Sequence, residues 1–183
     1  MQTSLKKILL AVTIVVPVLT YVFLRSFGDN RYQLPVFYVA EKAVANCVNL
    51  TFPHVLDWQM LSIEAADANI FYFPAYVSTP DFYRQLERVT NKFDGVEVFA
   101  VMNVNNATKH GTKVVIVDDA DFQYVMNCQL IVGEGVDLAS PPSHKIVLVD
   151  KFGQIRGYYI GSDFDDMDRL ELELKILFTE YEY

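Results

Sequence analysis

Cysteine is scarce in this sequence, with only Cys47 and Cys128 in 183 residues. No cysteine precedes Cys47, which excludes a lipobox-type lipoprotein. In an oxidising compartment the two cysteines could form one disulfide, to which the chain-entropy model assigns roughly 4 to 5 kcal/mol at this separation. Two unrelated buried thiols are the other interpretation. Sequence alone does not establish whether the two Cα atoms come close enough for a bond, so both stay open.

Basic residues are also few, since 15 Lys and Arg stand against 23 Asp and Glu. Three of the basic residues and none of the acidic ones lie in residues 1–27, which leaves twelve against 23, a net of −11, for residues 28–183. This charge disfavours nucleic acid and anionic membrane surfaces as partners. A basic partner protein, or simply a solvated acidic surface, is consistent with it.

One long uncharged run is present at the start of the chain, Ile8–Leu24, with basic residues on both sides. Its 17 apolar or neutral residues predict an N-terminal transmembrane helix within residues 1–27 that contacts the lipid bilayer through residues 8–24. The positive-inside rule then places the N-terminus inside and the rest of the chain outside. A signal peptide cleaved near residues 26–28 is the alternative.

The segment that follows, residues 28–57, mixes polar and apolar stretches and predicts a juxtamembrane linker with a first strand. Residues 58–183 are then the folded domain. Within it, Ile70–Phe73 predicts a buried strand, and a helix begins after it at Thr79 and Pro80. The helix has one apolar face, formed by Phe82, Leu86, Val89 and Phe93.

Further along, the pattern predicts strands at Val96–Val104 and Lys113–Val117 and a short helix at Asp121–Gln129. Lys145–Asp150 and Ile155–Ile160 predict a β-hairpin. The C-terminal stretch alternates like a strand at Leu170, Leu172, Leu174 and Ile176, but it also has helical spacing at Met167, Leu170, Leu174, Leu177 and Tyr181. Its strong helix formers and acidic start favour the helix.

The order of these elements predicts an α/β fold. It is strand, helix, strand, strand, short helix, hairpin and helix, which corresponds to a thioredoxin-like sandwich. Such a sandwich has a central mixed β-sheet with flanking helices. In this chain it would be preceded by the N-terminal transmembrane helix.

A family resemblance is carried by residues 143–177, SHKIVLVDKFGQIRGYYIGSDFDDMDRLELELKIL. They resemble the C-terminal third of the SenC/Sco family, in which a VLVD-x-x-G-x-IRGYY-x-G hairpin precedes an acidic helix start and a leucine-rich helix. Residues 27–38, FGDNRYQLPVFY, are similar to the juxtamembrane region of some Gram-negative members. The resemblance implies a single-pass protein of the inner membrane with a periplasmic thioredoxin-like domain. It also implies a family that delivers copper to cytochrome oxidase or reduces thiols there.

The copper site of that family, Cys-x-x-x-Cys-Pro after the first core strand and a histidine before the hairpin, has no match here. Aligning Phe71–Phe73 on the family's strand places Tyr76 and Pro80 at the cysteine positions and Pro142 at the histidine position. His144, two residues further on, is a weak metal candidate. Neither a phenol nor a pyrrolidine ring can replace a copper thiolate.

The other possible copper ligands have no ligand-like local spacing; they are His54, His110, Met60, Met102 and Met126. We therefore expect no cofactor, and copper only under the alternative function given below. Residues 73–80, FPAYVSTP, are also similar to thiol peroxidases, but the peroxidatic cysteine has no counterpart.

Aromatic residues are abundant near this vacant turn. Tyr72, Tyr76 and Tyr83 are predicted to form an interaction surface, because aromatic side chains dominate protein interfaces. Ordinary core packing is the competing interpretation.

The leading functional hypothesis is a non-enzymatic SenC/Sco-like protein that lacks the copper and thiol site. By resemblance it would be an accessory subunit or assembly factor of a respiratory membrane complex, cytochrome oxidase or a related supercomplex. The alternative is an active copper chaperone or thiol-disulfide oxidoreductase that uses Cys47, Cys128 and His144. The alternative requires these three groups to converge and the two thiols to be redox active.

Overall fold

The computed structural model describes residues 2–27, 33–40, 47, 50–74, 80–103, 113–132 and 145–182. Contacts divide the chain into two units, Met1–Tyr32 and Gln33–Tyr183. The first unit contains a single helix, α1 (Gln2–Phe27), with Pro17 inside it.

Helix α1 corrects the membrane prediction. Within the described part of the chain, no helix combines the length and the apolarity needed to cross a membrane. This finding contradicts the predicted transmembrane helix in residues 1–27 and the single-pass location in the inner membrane that was predicted from it.

The second unit is built on one five-stranded mixed sheet. Its strands are β1 (Ala68–Tyr72), β2 (Val96–Asn103), β3 (Lys113–Val117), β4 (Lys145–Asp150) and β5 (Ile155–Ile160). The spatial order is β3-β2-β1-β4-β5, with β1, β2 and β3 parallel and β4 antiparallel to both β1 and β5. Because the central strands are covered on both faces, β1 and β4 are continuous buried runs.

Four further helical elements accompany the sheet: α2 (Trp58–Leu61), α3 (Pro80–Thr90), α4 (Asp119–Tyr124) and α5 (Phe164–Tyr181). A π-helical turn, Val125–Gln129, continues α4. Helices α3 and α5 cover one face of the sheet, and the segment around α4 covers the other. The buried positions of α5 are Met167, Leu170, Leu174 and Leu177, so the helical spacing, and not the alternation, determined this element.

The unit is thus a mixed sheet flanked by helices, with a parallel β-α-β start and a hairpin-helix end. This arrangement confirms the predicted thioredoxin-like outline, and both hairpin strands have their predicted bounds. The described part of residues 28–57 contains no strand. It packs beside the hairpin instead, where Phe37 N donates to Ile155 O at 2.9 Å and Leu56 N to Gly153 O at 2.8 Å.

Candidate functional site

The aromatic residue that ends β1 belongs to the core. Tyr72 is fully buried, and its ring packs 5.5 Å from Phe82 and 6.1 Å from Tyr83, between centroids. It lies on a central strand under α3, so it has no access to a partner. The prediction that Tyr72 belongs to an interaction surface is therefore wrong. Tyr83 is half-buried, and burial raises the pKa of its phenol.

The Phe82 ring of this cluster packs directly against Gly161, which has no side chain. Gly161 follows β5, and a Cβ built there would lie 2.0 Å from the Phe82 ring. Phe82 is itself 1% exposed and has no room to retreat. The first turn of α3 is therefore held tightly against the sheet.

In the family that the sequence resembles, the turn before the corresponding helix carries the cysteines. Pro80 is the first residue of α3 and is exposed, and Asp81 in the first turn forms an ion pair with Arg84 at 2.7 Å. A carboxylate thus already occupies the favourable end of the helix dipole. Tyr76, Pro142 and His144, the other residues of the aligned site, lie outside the described residues.

A buried lysine stands where the hairpin begins. Lys145 is 4% exposed, and its Nζ donates to Val132 O at 3.1 Å. The Lys145 ammonium therefore binds a backbone carbonyl three residues beyond the end of the π-helical turn. In the sequence, Lys145 is only the first residue of a predicted strand, and nothing near it indicates that its side chain is buried.

The two cysteines are joined to each other, which decides between the two interpretations that the sequence left open. Cys47 and Cys128 have Cα atoms 5.6 Å apart and their sulfurs are bonded. Cys128 lies in the π-helical turn and is 3% exposed, while Cys47 is half-buried. Since the chain has no other cysteine, no free thiol remains in the folded protein.

Long-range hydrogen bonds reinforce the same region. His54 is buried, and its Nε2 lies 2.7 Å from Gln129 O. Tyr158 donates its hydroxyl to Leu130 O at 3.0 Å, and the backbone N–H of Asp57 donates to the Gln129 side chain at 2.9 Å. The bridge, these bonds and Lys145 together attach residues 128–132 to three parts of the domain: the segment before α2, strand β4 and strand β5. The arrangement is structural in character.

The other candidate copper ligands do not come together. Met102 packs in the cluster under α3 and α5, whereas Met60 and Met126 pack on the opposite face of the sheet. Among the residues that the structure describes, no group of three or more His, Cys, Asp and Glu could hold a metal ion. His110, like His144, lies outside those residues.

Charged groups inside the hairpin form a cluster that sequence analysis did not single out. Asp150 is fully buried, and its Oδ1 accepts from Phe152 N and Gln154 N, both at 2.9 Å. Arg156 contacts Asp150 at 3.4 Å and also pairs with Glu180 of α5. Burial raises the pKa of Asp150, against the opposing effects of these hydrogen bonds and of Arg156. Charged residues within apolar strand runs were the available signal.

The fold defined by these elements is the thioredoxin-like α/β class. No protein-family model matches the chain, and no curated protein matches it. Among solved structures it is similar to GPX1 of T. cruzi, at 14% identity and a TM-score of 0.40 over 63% of this chain and 83% of that one. It is also similar to a thiol peroxidase from Chromobacterium violaceum, at 13% identity and a TM-score of 0.41 over 85% of this chain and 96% of that one. Likeness at this level carries no information about the chemistry of the site.

Proposed function

We propose that this thioredoxin-like domain is a non-catalytic binding module, which acts through contact with another protein and not through thiol or copper chemistry. The observation that carries the proposal is the state of the cysteines. Both are joined in one bridge, and Cys128 is buried. A thiol catalyst or a copper-thiolate site needs thiolates that substrate or metal can reach.

The proposed partner is a respiratory complex such as cytochrome oxidase, for which the chain would be an accessory subunit or assembly factor. Support comes from the resemblance of residues 143–177 to the SenC/Sco family and from the acidic charge of residues 28–183. An acidic surface favours a partner with a basic docking surface through long-range steering.

The alternative, a copper chaperone or thiol-disulfide oxidoreductase, would use Cys47, Cys128 and His144. The two cysteines do lie together, but as a disulfide that offers no thiolate. No observation on the described residues favours this alternative over the binding module.

A Cu(I) competition titration on the full chain, with the disulfide intact, tests the absence of a copper site. We expect no stoichiometric binding that outcompetes a high-affinity Cu(I) chelator. Tight one-to-one binding would contradict the proposal, and a His144→Ala variant would then show whether that histidine takes part.

The partner is tested by affinity purification of a C-terminally tagged full chain from its native host. Respiratory subunits recovered at constant stoichiometry are the expected result. Tyr83→Ala should reduce this recovery, because Tyr83 is the half-buried member of the aromatic cluster near the turn. Phe152→Ala is the matched control, since Phe152 is an exposed aromatic residue in the hairpin turn. This turn follows the last residue of β4, whereas the end of β1 that leads to α3 lies beside the start of β4. A chain that elutes alone, or equal losses in both variants, would contradict this part of the proposal.

A further inference from the structure

The two edge strands of the sheet differ in the hydrogen bonds that their outward backbone groups make. At the β5 edge, three outward polar groups of the strand are already bonded. Ile155 O accepts from Phe37 N at 2.9 Å and Tyr158 O from Arg169 Nη2 at 2.8 Å, while Ile160 N donates to Asp166 Oδ2 at 2.8 Å. This edge is closed to another strand.

At the β3 edge, the described residues provide no such hydrogen bonds. No described residue other than those of β2 forms a backbone hydrogen bond to β3. The strand has the sequence KVVIV, without proline, and its Ile116 is 56% exposed. Its one charge, Lys113, is bound to Glu97 of β2 at 2.9 Å. An apolar edge of this kind is a template for pairing with a further strand.

We infer that β3 pairs with β3 of a second copy of this chain, in antiparallel orientation. The ends of the strand carry opposite charges, since it begins at Lys113, whose side chain stays 61% exposed beside Glu97, and is followed by the exposed Asp118. Antiparallel pairing brings the basic end of each strand beside the acidic end of the other, whereas parallel pairing would bring like charges together. The strand is thus complementary to itself. This inference does not depend on the proposed function.

The register follows from the length of the strand. A two-fold axis through Val115 pairs all five residues and places Ile116 opposite Val114 of the other copy. Any register related by a shift of one residue would set side chains from opposite faces against each other. In the pairing centred on Val115, the exposed Ile116 side chain is covered. Two five-residue strands make a short interface, so we expect a dissociation constant of about 10 µM to 1 mM.

Sedimentation velocity of the full chain over this concentration range is the first test. Ile116→Lys should weaken dimerisation at least tenfold, because it removes the apolar contact and brings two cations together. Leu172→Lys is the matched control, since Leu172 is 57% exposed on α5 and undergoes the same change. A wild type that is monomeric throughout, or equal weakening by both variants, would overturn the inference.

A second measurement has to separate pairing through β3 from association through α1, because the apolar side chains of α1 between Val12 and Phe23 are exposed and could associate by themselves. A nitroxide on Ile116→Cys reports the β3 contact directly, and the native cysteines do not compete for the label because they are bonded. In the dimer the two labelled residues are diagonal neighbours with Cα atoms about 8 Å apart, so strong dipolar broadening is expected. A label on Leu172→Cys should show none.

If the label on residue 116 itself prevents association, Lys113→Cys replaces it. Four residues along the strand separate the two copies of this position, which places them about 14 Å apart. Association without coupling at either position would mean that the chains meet through another surface, and it would overturn the inference.

Discussion

Loss of the Cys47–Cys128 bridge should be among the most costly small changes to this domain. The bridge joins residues 81 positions apart, and the chain-entropy model assigns a loop of that length about 4.5 kcal/mol at 25 °C. A denatured chain that keeps some structure lowers this value. We therefore expect the free energy of unfolding to fall by about 3 to 4.5 kcal/mol when the bridge is removed.

Three variants separate this effect from packing: Cys47→Ala, Cys128→Ala and the double variant. Either single substitution opens the loop completely, so all three should lose stability within about 1 kcal/mol of one another. Urea unfolding followed by Trp58 fluorescence is the assay, since this single tryptophan stacks 6.3 Å from Phe71 in the core. The urea dependence should also steepen, because an open denatured chain exposes more surface.

A loss below about 1 kcal/mol in the double variant would refute the reasoning, since the loop-closure effect would then be absent. Single losses that add up to the double loss would also refute it, because they would indicate two independent packing contributions. Gln123→Ala, on the exposed side of α4, serves as a control and should leave the midpoint unchanged.

Three further predictions concern other parts of the domain. Gly161→Ala should lower the free energy of unfolding by about 1 to 3 kcal/mol, because the new Cβ would lie 2.0 Å from the Phe82 ring. Ser162→Ala, at the exposed neighbour, should leave it nearly unchanged, and similar urea midpoints for the two variants would contradict this prediction. Arg156→Met should lower the free energy of unfolding by about 3 to 5 kcal/mol, because it leaves the Asp150 carboxylate buried without its cation. Adding Asp150→Asn should recover part of this stability, and no recovery would contradict the charge argument. Burial raises the pKa of Tyr181 from an ordinary 10.0 to about 12. The phenol therefore loses its proton at lower pH in the unfolded chain than in the folded one, so its contribution to stability is complete below pH 10 and is lost as the pH rises toward 12. In Tyr181→Phe the decline over this pH range should be shallower, and an unchanged decline in pH-dependent urea unfolding would be evidence against the assignment.

Local patterns in the sequence were sufficient to identify most of the fold. The hairpin strands have their predicted bounds, because a short turn between two apolar runs specifies both ends. The C-terminal helix was identified because strong helix formers and an acidic first turn agreed with one of two possible spacings. These signals involve residues near one another in the chain, so they can be read without knowledge of the tertiary fold.

Within the folded domain, the features that local patterns did not determine depend on long-range placement. Tyr72 ends a strand that lies between β2 and β4 under α3, and its burial follows from this central position in the sheet. The run Ile70–Phe73 predicted a buried strand, but the residues around Tyr72 do not show that α3 packs over this end of it. The disulfide stayed undecided for the same reason, since sequence separation does not give the distance between two Cα atoms.

The hairpin that carries the family resemblance has a structural explanation for each of its prominent residues. Asp150 closes the turn through two backbone N–H groups, and Gly153 adopts a positive φ of 82° that an L side chain resists. Arg156 joins Asp150 to Glu180 and so attaches the hairpin to α5. These residues fix the hairpin against the last helix, and none of them belongs to the thiol or metal chemistry of the resembling family. A resemblance carried by such residues is therefore informative about the fold, whereas function has to be tested at the β1–α3 turn and at the edge of β3.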